Sequence, residues 1–92
     1  MKRVDDNQKS IVQGLRKVGA TILSTAALGK GAPDIACGFR NQNYFFEIKN
    51  PAQPKSKRRL TEAEAEWHRV WAGQKAVIET LDEALKTIGA SK

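Results

Sequence analysis

A strand–turn–strand pattern over residues 34–49 constrains the fold of this 92-residue chain more than any other feature. Residues 34–39 are largely apolar, residues 40–43 are polar and turn-like, and residues 44–49 are rich in aromatic side chains that alternate in position. Two such segments around a short polar turn are typical of a β-hairpin. The sequence therefore predicts two antiparallel strands, 34–39 and 44–49, around which the other elements pack.

The hairpin brings three charged residues together, because Asp34 begins its first strand and Glu47 and Lys49 end its second. Side chains alternate between the faces of a strand, so Glu47 and Lys49 lie on one face and Ile48 on the other. A two-residue loop at Arg40 pairs Asp34 with Glu47, whereas a four-residue loop pairs Asp34 with Lys49. In both registers the aspartate is a cross-strand neighbour of the other two.

Two carboxylates and a lysine at this spacing suit an enzyme that uses a divalent metal to hydrolyse a phosphodiester. Adjacent carboxylates repel each other, and Mg²⁺ removes the repulsion because it binds carboxylate oxygens while keeping several waters. Such a metal polarises a phosphate and lowers the pKa of its bound water, and a lysine can meet the developing charge. The alternative is structural: Asp34 caps the preceding loop, and Glu47 and Lys49 form a solvated pair on an exposed strand face.

The remainder of the chain predicts three helices and two further strands. Apolar side chains at helical spacing indicate the first helix, and two Thr–x–x–Glu capping boxes start the other two. The predicted elements are a helix over 5–18, a strand over 21–24, the hairpin strands 34–39 and 44–49, a helix from Thr61 to Gly73, a strand over 75–79, and a helix from Thr80 to Ile88. The apolar stripe of the second helix is Leu60, Ala63, Trp67, Val70 and Trp71. The prediction is a single α/β domain over residues 1–92, a sandwich with a mixed sheet in the order αβββαβα.

Composition narrows the class of protein and its partners. The net charge is +6 and the isoelectric point is about 9.8, which favours an anionic polymer such as nucleic acid. No window approaches the ~18 apolar residues that span a bilayer, and the charged N-terminus lacks the apolar core of a signal peptide. The single cysteine, Cys37, sits in an apolar run and is predicted to be a buried thiol. We expect a cytoplasmic protein without a membrane partner.

Basic residues concentrate in the polar loop over residues 50–59, directly after the strand that carries Glu47 and Lys49. They are Lys55, Lys57, Arg58 and Arg59. They are candidate contacts to a DNA backbone close to the chemistry, and Lys30 in the glycine loop before Asp34 is another. The alternative for the run is a solvated charged surface. His68 has no other histidine or cysteine at metal-ligand spacing, which favours a structural role.

The motifs also resemble a known family. Gly31-Ala-Pro-Asp34 followed by Glu47-Ile-Lys49 is similar to the signature of the PD-(D/E)xK nucleases, and the element order is theirs. More narrowly, the chain resembles the virus-type replication-repair nuclease (VRR-NUC) domain. The further motifs that carry this resemblance are Gly19-Ala20 at the end of the first helix, and Leu60-Thr61 opening a helix that contains Trp67. The resemblance extends over about residues 5–90.

This resemblance implies a restriction-endonuclease-like sandwich and a set of residue roles. Asp34 and Glu47 would bind Mg²⁺ or Mn²⁺ together with the backbone carbonyl of Ile48, and Lys49 would orient or help deprotonate the attacking water. Gln8 stands nearest to an acidic first-helix residue that reaches the metal in the family, although it could instead close a cap with Asp5. Where the second helix usually carries an early glutamine, this chain has Glu64, which the capping box also explains.

The function predicted from these residues and this resemblance is a metal-dependent DNA endonuclease. So small a domain has little surface for reading base sequence, so branched DNA, such as a Holliday junction, is the expected substrate. Symmetric cutting needs two active sites, which predicts a homodimer. The virus-type resemblance extends the expected setting to a phage-encoded protein acting in a bacterial host cell. Two alternatives stay open: a nucleic-acid-binding module without catalysis, and a nuclease subunit that needs a larger partner.

Overall fold

The computed structural model describes residues 7–90, which form three helices and one four-stranded sheet. In chain order the elements are α1 (Gln8–Lys17), β1 (Thr21–Ser24), β2 (Ile35–Phe39), β3 (Gln42–Ile48), α2 (Glu62–Val70), β4 (Lys75–Ile78) and α3 (Leu81–Ile88). Two short 3₁₀ turns, at Ala26–Leu28 and Lys55–Lys57, lie in loops for which no regular structure was predicted. The α/β class and the order of elements are confirmed. The predicted helix start at residue 5 lies outside the described residues.

The sheet has the strand order β1-β2-β3-β4 and is mixed, as predicted. The first three strands are antiparallel, and β4 runs parallel to β3 because α2 crosses between them. The hairpin pairs Phe39 with Gln42 around a two-residue loop, so the four-residue alternative is wrong. Both loop residues, Arg40 and Asn41, have positive φ, the geometry of the two-residue turns that match strand twist.

Element ends differ from the predictions by a few residues. Gln42 and Asn43, predicted as turn, belong to β3 because the tight loop needs only two residues. Asp34 precedes β2 rather than starting it. The second helix ends at Val70 instead of reaching Gly73, since Trp71 already has an extended backbone. Both predicted capping boxes are confirmed in full.

One face of the sheet forms the core under α1 and α3. The alternation in β3 sends Tyr44, Phe46 and Ile48 to this face, where all three are buried. They pack with Ile11 and Leu15 of α1. The other core members are Ala20, Ile35, Cys37, Ile78, Ala84 and Ile88. The prediction of a buried cysteine is confirmed, and burial raises the pKa of the Cys37 thiol. None of the helices within residues 7–90 is long and apolar enough to cross a membrane.

The opposite face of the sheet is covered only in part, by α2. The ring of Phe45 meets Trp67 and Trp71 edge-on, with centroids 5.5 and 5.0 Å away. Beyond this aromatic contact the strands are open, so that Leu23 of β1 is 66% exposed and Val77 of β4 is also exposed. The predicted apolar stripe of the second helix is therefore wrong in part. Ala63 and Val70 face solvent because no other helix within residues 7–90 covers this side of the sheet.

A glycine fixes where α2 begins. Gly31 has φ +80°, and a Cβ built on it would lie 2.1 Å from the carbonyl oxygen of Ala63 in the first turn of α2. Only a residue without a side chain fits such a contact between backbones. The loop that leads into Asp34 is therefore packed directly against the start of the helix that carries Glu64, and these two segments form one wall of the candidate site.

Candidate functional site

The Asp34 carboxylate is held against the end of β3. Its Oδ2 accepts a hydrogen bond of 2.7 Å from the backbone N–H of Ile48, the residue between Glu47 and Lys49. Its own backbone is fixed on both sides, since its N–H donates to Phe46 and its carbonyl accepts from Thr25. The register that pairs Ile35 with Phe46 sets Asp34 beside Glu47. The prediction that a two-residue loop sets Asp34 opposite Glu47 is confirmed.

All three predicted residues are buried: Asp34 is 3% exposed, Glu47 0% and Lys49 9%. The Lys49 ammonium lies 3.3 Å from Glu47 Oε2 and 2.9 Å from Glu64 Oε1. The structural alternative of a solvated pair on an exposed strand is therefore wrong, because α2 covers this part of the face. Burying charged groups is costly unless they are paired or bind a metal. The burial of Asp34, Glu47 and Lys49 therefore calls for an explanation other than solubility, which only exposed charges improve.

The protonation state of Lys49 follows from its neighbours. Burial of the amine lowers its pKa, but the hydrogen bond that it donates to Glu64 and the negative charges of Glu47 and Glu64 together outweigh burial and raise the pKa above its ordinary value. Lys49 is thus an ammonium at neutral pH. In this arrangement it can donate a hydrogen bond or offset negative charge. The two roles that the family resemblance implied for Lys49, orienting the attacking water and helping to deprotonate it, stay predictions.

The first turn of α1 closes the site from the side of the strand ends. The side-chain amide of Asn7 donates to the carbonyl oxygens of Lys49 and Glu79, at 3.0 and 2.9 Å, and so ties α1 to the ends of β3 and β4. The Gln8 side chain is buried, and its Oε1 has no hydrogen-bond partner within the described part of the chain. Its proposed cap with Asp5 lies outside that part.

Sequence reasoning missed the role of Asn7. Asparagine at the start of a helix is ordinarily interpreted as a cap, but no side-chain cap bond forms here because the amide bonds the two strand ends instead. In the sequence, Asn7 is simply an amide residue directly before the first helix, a position that equally well predicts a helix cap. Glu64, by contrast, was identified as a capping residue, and its contact with Lys49 could not have been read from the spacing.

The predicted DNA-binding residues differ in their availability. Lys55, Lys57 and Arg59 are exposed, as is Lys30 in the glycine loop. Arg58 is partly buried and forms an ion pair of 3.0 Å with Glu79 at the end of β4, which anchors the basic loop to the sheet. Arg58 therefore has a structural partner inside the domain. The three exposed cations of the loop are the ones that can meet a phosphate without breaking an internal contact.

The donor set is compatible with a divalent metal. No cluster of three or more His, Cys, Asp or Glu side chains placed to hold a metal occurs between residues 7 and 90. The predicted ligands are only two carboxylates, Asp34 and Glu47, with the backbone carbonyl of Ile48. Such a set suits Mg²⁺, which is usually held by one or two carboxylates and keeps several waters. The unpartnered, buried amide oxygen of Gln8 is a further oxygen donor of the type this cation prefers.

Comparison of the chain with protein-family models, with curated proteins and with solved structures returns no match. The similarity to VRR-NUC nucleases therefore rests on the motifs alone. What the fold adds is the burial of Asp34, Glu47 and Lys49 and the ion pairs that Lys49 forms with Glu47 and Glu64.

Proposed function

We propose that this protein is a metal-dependent DNA endonuclease with a restriction-endonuclease-like fold, in which Asp34, Glu47 and Lys49 are the catalytic residues. One observation carries the proposal: all three charged side chains are buried. Charged residues are almost never fully buried unless they are paired, because in solvent they avoid the cost of desolvation. Active sites are where such costly burial of ionisable groups recurs, since function rather than stability retains them. The fold assignment is supported by the mixed four-stranded sheet with the acidic pair at the hairpin.

Each residue has a distinct task in the proposed reaction. Asp34 and Glu47 supply carboxylate oxygens for Mg²⁺ or Mn²⁺, with the Ile48 carbonyl and Gln8 as additional oxygen donors. When bound, the cation supplies an acidic water and polarisation of the scissile phosphate. The Lys49 ammonium stabilises negative charge that develops on the phosphoryl oxygens, a role that fits its position 3.3 Å from Glu47 Oε2.

The proposed substrate is DNA, and branched DNA in particular. Lys55, Lys57 and Arg59 are exposed on the loop that follows β3 and Lys49, where they are available to a phosphate backbone. Lys30 is exposed on the loop that precedes Asp34. The net charge of +6 favours the approach of a polyanion at low salt.

A homodimer is part of the proposal because a junction must be cut on two strands. The open sheet face supports it: Leu23, Val77, Val70 and Trp71 are exposed apolar residues on or beside that face. A surface of this kind is typical of a site that is covered by another chain. Sedimentation at the protein concentrations of the cleavage assay tests this part, and a species of 10.2 kDa would show that the monomer is the functional unit.

Cleavage of a labelled four-way junction and of a matched linear duplex, with Mg²⁺, with Mn²⁺ and with EDTA, tests the activity. We expect metal-dependent cleavage of the junction that Asp34→Asn, Glu47→Gln and Lys49→Ala each reduce at least ~100-fold. Asp82→Asn and Lys86→Ala are matched controls, since these two residues form an exposed ion pair on α3. Binding of DNA without cleavage, unaltered by metal and by Asp34→Asn, would establish a binding module instead. Cleavage by Lys49→Ala at the wild-type rate would refute the catalytic assignment.

A further inference from the structure

One carboxylate oxygen in the site serves two donors at once. Glu64 Oε1 accepts the backbone N–H of Thr61 at 2.9 Å, which completes the capping box of α2. The same oxygen accepts the Lys49 ammonium at 2.9 Å. The Thr61 hydroxyl in turn accepts the Glu64 N–H at 3.2 Å. The hydrogen bonds that start the helix and those that hold the lysine therefore share an atom.

A capping role alone does not explain Glu64. The chain contains a second capping box at α3, where Glu83 Oε1 accepts the N–H groups of Thr80 and Glu79. Glu83 is exposed and forms no ion pair with a lysine within residues 7–90. Glu64 is only 5% exposed and pairs with Lys49. An exposed glutamate caps a helix equally well and avoids the cost of desolvating its charge. The burial of Glu64 is explained by its pairing with Lys49.

We propose that Glu64 is a positioning residue, which holds the Lys49 ammonium beside Glu47 and links its place to the first turn of α2. The inference rests on the proposed function, because it concerns the geometry of the same active site. A lysine side chain has four rotatable bonds and an ammonium without directional preference, so one contact with Glu47 at 3.3 Å leaves it freedom to move. The second contact, from a rigid helix start, removes that freedom.

The position of α2 itself is fixed by the glycine loop. The backbone of Gly31 meets that of Ala63 and Glu64 so closely that an added Cβ would lie 2.8 Å from the Glu64 N–H nitrogen. The loop leads directly into Asp34. The metal-binding side of the site and the lysine side are thereby connected through the first turn of α2, and a shift of that turn would alter both together.

The kinetic test compares the two capping boxes of the same chain. Glu64→Ala and Glu83→Ala each remove one capping carboxylate and should lower the urea midpoint, Glu64→Ala by more because it also takes a partner from the buried Lys49 ammonium. For Glu64→Ala we expect kcat for junction cleavage to fall ~10- to 100-fold with KM within about twofold, as for a misplaced catalytic group. Glu83→Ala should keep kcat within about twofold. Glu64→Gln retains an acceptor oxygen for both donors and should recover most of the lost rate.

A second readout does not require activity. Acetylation of individual lysines at fixed pH, followed by mass spectrometry, reports how firmly the Lys49 amine is held. We expect Lys49 labelling to rise at least ~5-fold in Glu64→Ala and less than twofold in Glu83→Ala, with Lys86 as the exposed reference. Thr61→Ala weakens the cap but leaves the carboxylate, so it should increase Lys49 labelling much less than Glu64→Ala.

The outcomes separate this inference from the proposed function. If wild type cleaves, Lys49→Ala does not, and Glu64→Ala matches Glu83→Ala in both kcat and labelling, Glu64 is only a cap and the positioning role is refuted. If Lys49→Ala cleaves like wild type, the catalytic role of the lysine fails, while the labelling experiment still decides whether Glu64 holds it. If Glu64→Ala does not fold, Glu64→Asp replaces it in both assays, because its carboxylate is one methylene shorter and cannot accept from Thr61 and Lys49 at once; wild-type kcat and wild-type Lys49 labelling in Glu64→Asp would refute the positioning role.

Discussion

The contact between the glycine loop and α2 makes a quantitative prediction for Gly31→Ala. The new methyl carbon would lie 2.1 Å from the Ala63 carbonyl oxygen and 2.4 Å from its carbon, both backbone atoms that cannot rotate away. The start of α2 would have to retreat by about 1 Å to restore an allowed contact. Gly89→Ala is the matched control, because Gly89 has nearly the same φ, +78° against +80°, and nothing within 4 Å of its would-be Cβ.

The two substitutions differ only in the contact. A left-handed backbone costs a non-glycine residue about 1–2 kcal/mol, which applies to both. Forcing the helix start away adds about 1–3 kcal/mol for Gly31→Ala alone. The total, about 2–5 kcal/mol, is a large part of the roughly 5–14 kcal/mol expected for a domain of this length. The melting temperature of Gly31→Ala should lie below that of Gly89→Ala by about 4–8 °C for each kcal/mol of difference in unfolding free energy.

Urea unfolding followed by circular dichroism, with m compared between variants, measures the difference directly. We expect the midpoint of Gly31→Ala to lie well below that of Gly89→Ala, and its Lys49 to become more reactive because Glu64 moves with the helix. Equal stability of the two variants within about 0.5 kcal/mol would refute the packing of the loop on α2. The wall of the candidate site described above would then be incorrect as well.

Three further predictions follow from single contacts. Asn7→Ala should cost about 1–3 kcal/mol in urea unfolding, since it leaves two strand-end carbonyls without their donor. Arg59→Ala should lower the salt dependence of DNA binding by about one unit of slope, whereas Arg58→Ala, whose guanidinium is paired with Glu79, should change it less and instead cost at most about 1 kcal/mol of stability. The raised pKa of Lys49 means that the folded state holds this proton more tightly than the unfolded chain does. Its stabilisation is present below the unfolded pKa and lost as pH rises through the folded one, so above about pH 10 the urea midpoint of wild type should fall more than that of Lys49→Met.

The hairpin could be predicted from the sequence because its signals are local. Strand alternation fixed the faces of Glu47 and Ile48, and the polar residues at 40–43 marked the turn. The length of the hairpin loop could not be predicted from the sequence, because Asn43 suits a turn as well as a strand. In the structure Arg40 and Asn41 adopt positive φ, and this allows the two-residue loop. The capping boxes were predictable for the same reason, because each is complete within four residues.

The contacts around the site could not be predicted, because they join residues far apart in sequence. Nothing local distinguishes Glu64 from Glu83, yet only Glu64 reaches a lysine. The side chain of Asn7 bonds residues 42 and 72 positions away. The apolar residues of the second helix do follow helical spacing, so the sequence predicted that all of them are buried. Ala63 and Val70 are exposed because much of the sheet face beside this helix is left open, which only the tertiary structure reveals.

The hydrogen bond from Asn7 to Glu79 has a consequence for when the candidate site can form. It spans 72 positions of the chain, and the parallel pairing of β3 with β4 requires the crossing through α2 to be made first. Contacts of such long range form late in folding, because the entropy of closing the chain must be overcome before they are gained. During synthesis, a ribosome would have to complete β4 before this site could close. The hairpin with Asp34 and Glu47 would emerge well before that, so a nascent chain would carry both carboxylates before Asn7 could tie α1 to the ends of β3 and β4.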